Sequence, residues 1–151
     1  MLETFGPLLR AAQGIALDDP ASAVVELNQR LDHQGEEAAA LNLELKTLLD
    51  EGRIADRGKL PVRWGRVAKP SEESLGFSID VVLMNGAGPR HRHPLGEVNY
   101  CIAMDGAPTF QGQGPGWVVE SPGSEHVPTV TGGTMLIVYL LPEGSMEFIE
   151  S

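Results

Sequence analysis

A chain of 151 residues is about the size of one domain and can bury a core without disulfides, and its single cysteine, Cys101, allows no intrachain bridge. Its 21 acidic and 11 basic residues leave a formal charge of -10, and no Lys or Arg follows Arg92. The C-terminal part therefore has nothing to neutralise phosphates, which argues against a nucleic-acid partner. Met1 to Ala12 contains Glu3 and lacks the basic-then-apolar pattern of an export leader. No apolar run approaches the roughly 18 residues that cross a bilayer, so a cytoplasmic protein with no membrane partner is expected. Cys101 is then a small buried hydrophobe.

The first fifty residues have helical spacing. Leu2, Phe5, Leu8 and Leu9 share a face, and Asp19-Pro20 reads as an N-cap followed by proline at the first helical position. Val24, Leu27, Asn28 and Leu31 recur at three and four positions. A third segment, Glu36 to Gly52, sets Leu41, Leu45, Leu48 and Leu49 along a stripe and stops at its glycine. Residues 1–53 are thus expected to be a helical arm whose stripes pack on the rest of the chain or on a partner subunit. That surplus of apolar surface, together with the prevalence of closed two-fold assemblies, predicts a homodimer.

From Leu60 the period changes to that of strands. "LPVRWGRV", "GFSIDVVLM", "EVNYCIAM", "GWVVE", "HVPTV" and "TMLIVYLLP" are divided by Asn85-Gly86, Asp105-Gly106, Gly112–Gly116, Pro122-Gly123 and Gly132-Gly133. Many short strands without helical periods between them predict a mainly β barrel or sandwich over residues 54–151. No Rossmann or Walker A pattern occurs, and "GQGPG" reads as a hairpin turn rather than a phosphate loop.

The chemistry concentrates in "GPRHRHPLGEVNY", residues 88–100, and in "SPGSEH", residues 121–126. Alternation along a strand points His91 and His93 to one face and Arg90 and Arg92 to the other. Glu97 starts the next strand, and His126 follows a Pro-Gly turn. Three imidazoles and a carboxylate suit one first-row divalent ion, Fe2+, Mn2+ or Zn2+, and leave positions open for water and substrate. His33, in "LDHQGEE" of the helical arm, is read as a surface or hydrogen-bonded residue.

"GPRHRHPLGE" and "PGSEH" resemble the two sequence motifs of the cupin superfamily over about Leu60 to Pro142. The resemblance implies a small antiparallel β-barrel, the double-stranded β-helix, with His91, His93, Glu97 and His126 as metal ligands. One departure is the glycine expected about seven residues beyond the Glu, which here comes later, at Gly106. The helical arm with "HRHPLGEVNY", "GAPTFQGQGPGWVVESPGSEHVPTVTGG" and "LIVYLLPEGSMEF" more closely resembles the bacterial 4-hydroxylaminobenzoate lyase family. Membership would imply conversion of 4-hydroxylaminobenzoate to 3,4-dihydroxybenzoate and ammonia in nitroaromatic breakdown.

That conversion adds water and removes ammonia with no net oxidation, so neither a nicotinamide nor a flavin is expected. The substrate is a small aromatic carboxylate, which calls for aromatic walls and a guanidinium fork. Trp64, Tyr100, Phe110, Trp117 and Tyr139 are the aromatic candidates, with Trp117 and Tyr139 chosen for substrate binding. Arg63, Arg66, Arg90 and Arg92 are the candidate clamps; alternation turns the last two away, and Arg66 is preferred. Glu125, beside a presumed ligand, and Tyr100 are the acid-base candidates. Two other readings fit the same constellation: a different mononuclear-metal enzyme, such as an aromatic-ring dioxygenase or an isomerase, and a nonenzymatic small-molecule-binding barrel.

Overall fold

The computed structural model describes residues 1–149, so the last two residues of the expected 54–151 domain lie outside it. A short 3-10 turn at Leu2–Phe5 leads into α1 (Gly6–Ala12), α2 (Pro20–Arg30) and α3 (Glu36–Asp50). Asp19 caps α2, accepting from the Ser22 backbone N–H at 3.4 Å and from Ser22 Oγ at 2.8 Å. α3 stops because Gly52 turns the chain at φ +71°, letting the Arg53 N–H reach back to the Leu48 carbonyl at 3.0 Å. No helix of the described residues is long and apolar enough to cross a membrane.

Among the described residues nine strands follow: β1 (Arg57–Lys59), β2 (Val62–Ala68), β3 (Phe77–Met84), β4 (His91–His93), β5 (Glu97–Phe110), β6 (Gly116–Glu120), β7 (Ser124–His126), β8 (Val130–Pro142) and β9 (Glu147–Phe148). They form a six-stranded sheet ordered β1-β2-β3-β8-β5-β6 and a three-stranded sheet ordered β7-β4-β9. Every pairing is antiparallel. This is the expected mainly β, antiparallel fold with an N-terminal helical arm.

The large sheet is buried on both faces along β3, β8, β5 and β6, while its β1 edge is exposed. Its helix face sets Ile79, Val81, Val98, Tyr100, Trp117, Val138 and Leu140 against Phe5, Leu8, Leu27, Leu41 and Leu45 of the arm in one apolar cluster. The opposite face carries a second cluster, including Val82, Met84, Cys101, Val118, Ile137 and Tyr139. Burying a leucine is worth about 1.5–3 kcal/mol, so the arm's stripe is a large share of what holds it to the sheet. Most of the stripe that suggested a homodimer is thus buried within one chain, while Val25 and Leu43 of the arm stay exposed. His33 also belongs to this junction: its Nδ1 lies 3.0 Å from Asn28 Oδ1, and a Cβ added at Gly116 would sit 2.8 Å from its ring.

Two expected strand breaks are not breaks. β5 runs through Asp105-Gly106 and β8 through Gly132-Gly133, and the irregularities appear instead as register shifts at Ala103/Asp105 and Gly106/Thr109. Gly106 and Gly133 are register partners at φ +66° and +155°, and a Cβ on Gly133 would collide with the Asp105 carbonyl. Glycine here permits close backbone approach at a bulge, which in sequence looks the same as a turn.

Candidate metal centre

The geometry begins with β4 and β7. In their antiparallel register His91 faces His126, with His93 facing Ser124 and Arg92 facing Glu125. Alternation turns the three imidazoles to one side, where His126 Nε2 lies 2.8 Å from His91 Nε2 and 2.9 Å from His93 Nε2. Glu97, the first residue of β5, reaches the same point from the large sheet: its Oε2 is 3.3 Å from His93 Nε2 and 3.8 Å from His126 Nε2. The four ligand atoms all lie within 4.8 Å of one another.

These residues fit a cation. His93 and Glu97 are fully buried, and among the described residues Glu97 Oε1 has no hydrogen-bond partner, while Oε2 accepts from Asn99 Nδ2 at 2.9 Å. A buried carboxylate with an orphaned oxygen is costly unless a positive charge faces it. Three Nε2 atoms converging on one another cannot all be satisfied by protons, whereas ligands about 2.1 Å from an ion and at right angles are about 3.0 Å apart. Burial lowers His91 to about 4, with help from His126, and His93 to about 3, with help from both neighbouring rings. Both rings are therefore neutral, with lone pairs to offer. Desolvation raises Glu97 to about 7, against the Asn99 hydrogen bond. At His126 burial also disfavours charge, but the contact with Glu120 and the charges of Glu97 and Glu120 outweigh it and raise the ring above its ordinary value.

A cavity of about 560 Å³ meets this centre at His91. Its walls are mostly apolar, from Val62, Trp64, Val82, Met84, Tyr139 and Phe148, and Arg66 is its one Lys or Arg among the described residues. Arg66 Nε and Nη2 donate to Asp80 at 3.0 and 3.3 Å, and that hydrogen bond raises the guanidinium further above its usual range. Register explains the grouping: Arg66, Asp80, Tyr139 and Asn99 are successive partners across β2, β3, β8 and β5. Tyr139, held well above the usual phenol range by burial, donates to the Met84 thioether at 3.7 Å.

Three sequence candidates lie elsewhere. Tyr100 and Trp117 pair across β5 and β6 on the helix face, where the Tyr100 hydroxyl donates to Asn42 Oδ1 at 2.8 Å and Trp117 Nε1 donates to the Leu31 carbonyl at 3.0 Å. They anchor the arm, because residue 100 has the opposite parity to Glu97 and residue 117 the opposite parity to Glu120. Glu125 is exposed and faces the same way as its register partner Arg92, away from the imidazoles. Asn99, Gln111 and Glu120 surround the ligands and were not singled out from sequence. Asn99 shares parity with Glu97 on β5, which is a usable signal, but Glu120 and Gln111 arrive through pairings that no local pattern announces.

The curated 4-hydroxylaminobenzoate lyase of Pseudomonas putida is 32% identical over 102 residues, covering 57% of this chain and 58% of that protein. The enzyme of the same name from Nocardioides sp. (strain LMS-CY) is 34% identical over 94 residues, covering 57% and 56%. The matched stretch thus spans a little over half the length of these relatives. Among solved structures, an RmlC-like cupin protein from Ralstonia eutropha aligns with a TM-score of 0.47 at 15% identity over 62% of each chain. A family profile described as "PnbB: 4-hydroxylaminobenzoate lyase" matches residues 7–148, so that most of the helical arm, both sheets and the four residues of the candidate metal centre fall within it, and the chain belongs to that family.

Proposed function

We propose that the chain is a metal-dependent lyase that converts 4-hydroxylaminobenzoate and water to 3,4-dihydroxybenzoate and ammonia. The observation that carries this reading is a His3Glu centre opening onto an apolar cavity with one guanidinium in its wall, in a chain of this family. His91, His93, Glu97 and His126 would hold one divalent transition metal, which supplies Lewis acidity for departure of the hydroxylamino oxygen or for activation of water. Arg66, held on one edge by Asp80, offers its other N–H groups to the substrate carboxylate. Trp64, Tyr139 and Phe148 bracket a flat ring, and Val62, Val82 and Met84 keep bulk water from it. The Tyr139 phenol stays protonated and can donate to an oxygen of the substrate.

Metal-loaded protein incubated without oxygen or nicotinamide should yield one ammonia per dihydroxy product, followed by chromatography. No product from a correctly loaded sample overturns the lyase reading, and a strict requirement for oxygen would replace it with a dioxygenase. Arg66→Lys should raise KM about 10-fold with metal content unchanged, because a point charge replaces the planar fork.

A further inference from the structure

An imidazole that offers Nε2 to a cation carries its proton on Nδ1, and a proton there needs an acceptor. Two side chains reach His126 Nδ1, and they ask for opposite things. Gln111 Nε2 is 2.8 Å away. Its amide is oriented by its own oxygen, which accepts from the Thr129 backbone N–H at 2.9 Å, so the group presented to the ring is a donor. Glu120 Oε1 is 3.4 Å away, and a carboxylate can only accept. Under Gln111 the ring proton moves to Nε2, facing His91 and His93; under Glu120 it stays on Nδ1 and leaves the Nε2 lone pair for a cation.

Glu120 is placed for the second role by the fold. It is the register partner of Glu97 across β5 and β6, so the two carboxylates stand side by side on the site face. Its side chain is 20% exposed and, among the described residues, no Lys or Arg forms an ion pair with it. A charge-assisted N–H···O bond is about 2.7–2.9 Å long, so a ring shift of roughly half an ångström completes the contact.

We propose that Glu120 is a positioning residue that selects the ligating tautomer of His126, while Gln111 holds the non-ligating one. The proposal rests on the metal centre described above. Glu120 is not among the residues that line the cavity; it acts through the ring by fixing where its proton sits.

Titration of the metal-free 151-residue chain with Co2+, followed by its visible absorption, tests this directly. Glu120→Ala should weaken Co2+ binding about 10- to 100-fold, the usual effect of removing an outer partner of a ligating histidine. Glu120→Gln, which keeps an acceptor oxygen but loses the charge, should fall between Glu120→Ala and wild type. Gln111→Ala should bind at least as tightly as wild type. In Zn2+-loaded wild-type protein, 15N NMR should show the His126 proton on Nδ1. Equal Co2+ affinity in wild type and Glu120→Ala, with matching circular dichroism, overturns the Glu120 role and leaves the metal centre standing. Weaker binding by Gln111→Ala, or a proton on Nε2 in the Zn2+ form, overturns it too. Wild-type protein that takes up neither Co2+ nor Zn2+ overturns the metal centre itself. Should Glu120→Ala not fold, Glu120→Gln decides alone: affinity equal to wild type rejects the proposal.

Discussion

The two faces of the six-stranded sheet are made by alternate residues of the same strands, yet they do different work. On β5, Val98, Tyr100 and Ile102 turn to the helices and Glu97, Asn99 and Cys101 turn to the imidazoles. On β6, Trp117 and Val119 belong to the first set and Val118 and Glu120 to the second. The helix face holds its polar atoms in pairs, with Tyr100 on Asn42 and Trp117 on Leu31, whereas the site face leaves Glu97 Oε1 and Asn99 Oδ1 without partners. One face is finished by the fold. The other keeps buried acceptors without a partner among the described residues, which marks a candidate binding site rather than a core.

Substitutions of opposite parity should separate these roles. The largest effect on stability is expected at Trp117, where Trp117→Ala removes a buried indole and its hydrogen bond to Leu31. Chemical denaturation should show a loss of about 3–5 kcal/mol, with Co2+ affinity of the folded fraction unchanged. His93→Ala should do the reverse: more than about 100-fold loss of metal affinity, exceeding the effect of an outer partner, with the far-UV dichroism retained. If Trp117→Ala abolished metal binding in folded protein, or His93→Ala unfolded the chain, the division between faces would fail.

Tyr100→Phe is a finer probe. Losing the bond to Asn42 should cost about 1 kcal/mol at neutral pH. Burial pushes Tyr100 up to about 12 against the Asn42 hydrogen bond, so both folded and unfolded phenols are neutral below about pH 10 and no pH dependence arises there. Between pH 10 and 12 the unfolded chain ionises while the folded one does not, and stability should fall by up to about 1.4 kcal/mol per unit from this group. Tyr100→Phe should flatten that slope in denaturation curves taken across the range. The smallest effect belongs to Glu125→Gln: being exposed and turned from the ligands, it should leave turnover and stability within about 0.5 kcal/mol of wild type.

The pairing of His91 with His93 in the candidate metal centre was legible because H-x-H on a strand fixes two side chains to one face by parity alone. The helical arm was equally plain, since an N-cap, a leucine stripe and a terminating glycine are local signals. Tyr100 and Trp117 were misplaced because β5 and β6 are covered on both sides, so hydrophobic alternation no longer marks which face meets the chemistry. Parity relative to Glu97 carried that information for Tyr100. Glu120, Gln111 and Asp80 become neighbours of the site through sheet order and register, and these are set by contacts far apart in sequence.

The origin of the four ligand residues has a mechanical side. Three come from the small sheet and the fourth, Glu97, from the large one, with His93 and His126 separated by 33 positions. An ion seated among them would rivet one sheet to the other and close a long loop of chain at a single point. Its removal should then be felt less at the helical arm than at the seam between the sheets, where the amides of β4 and β7 would exchange with deuterium faster while those of β3, β5 and β8 keep their protection.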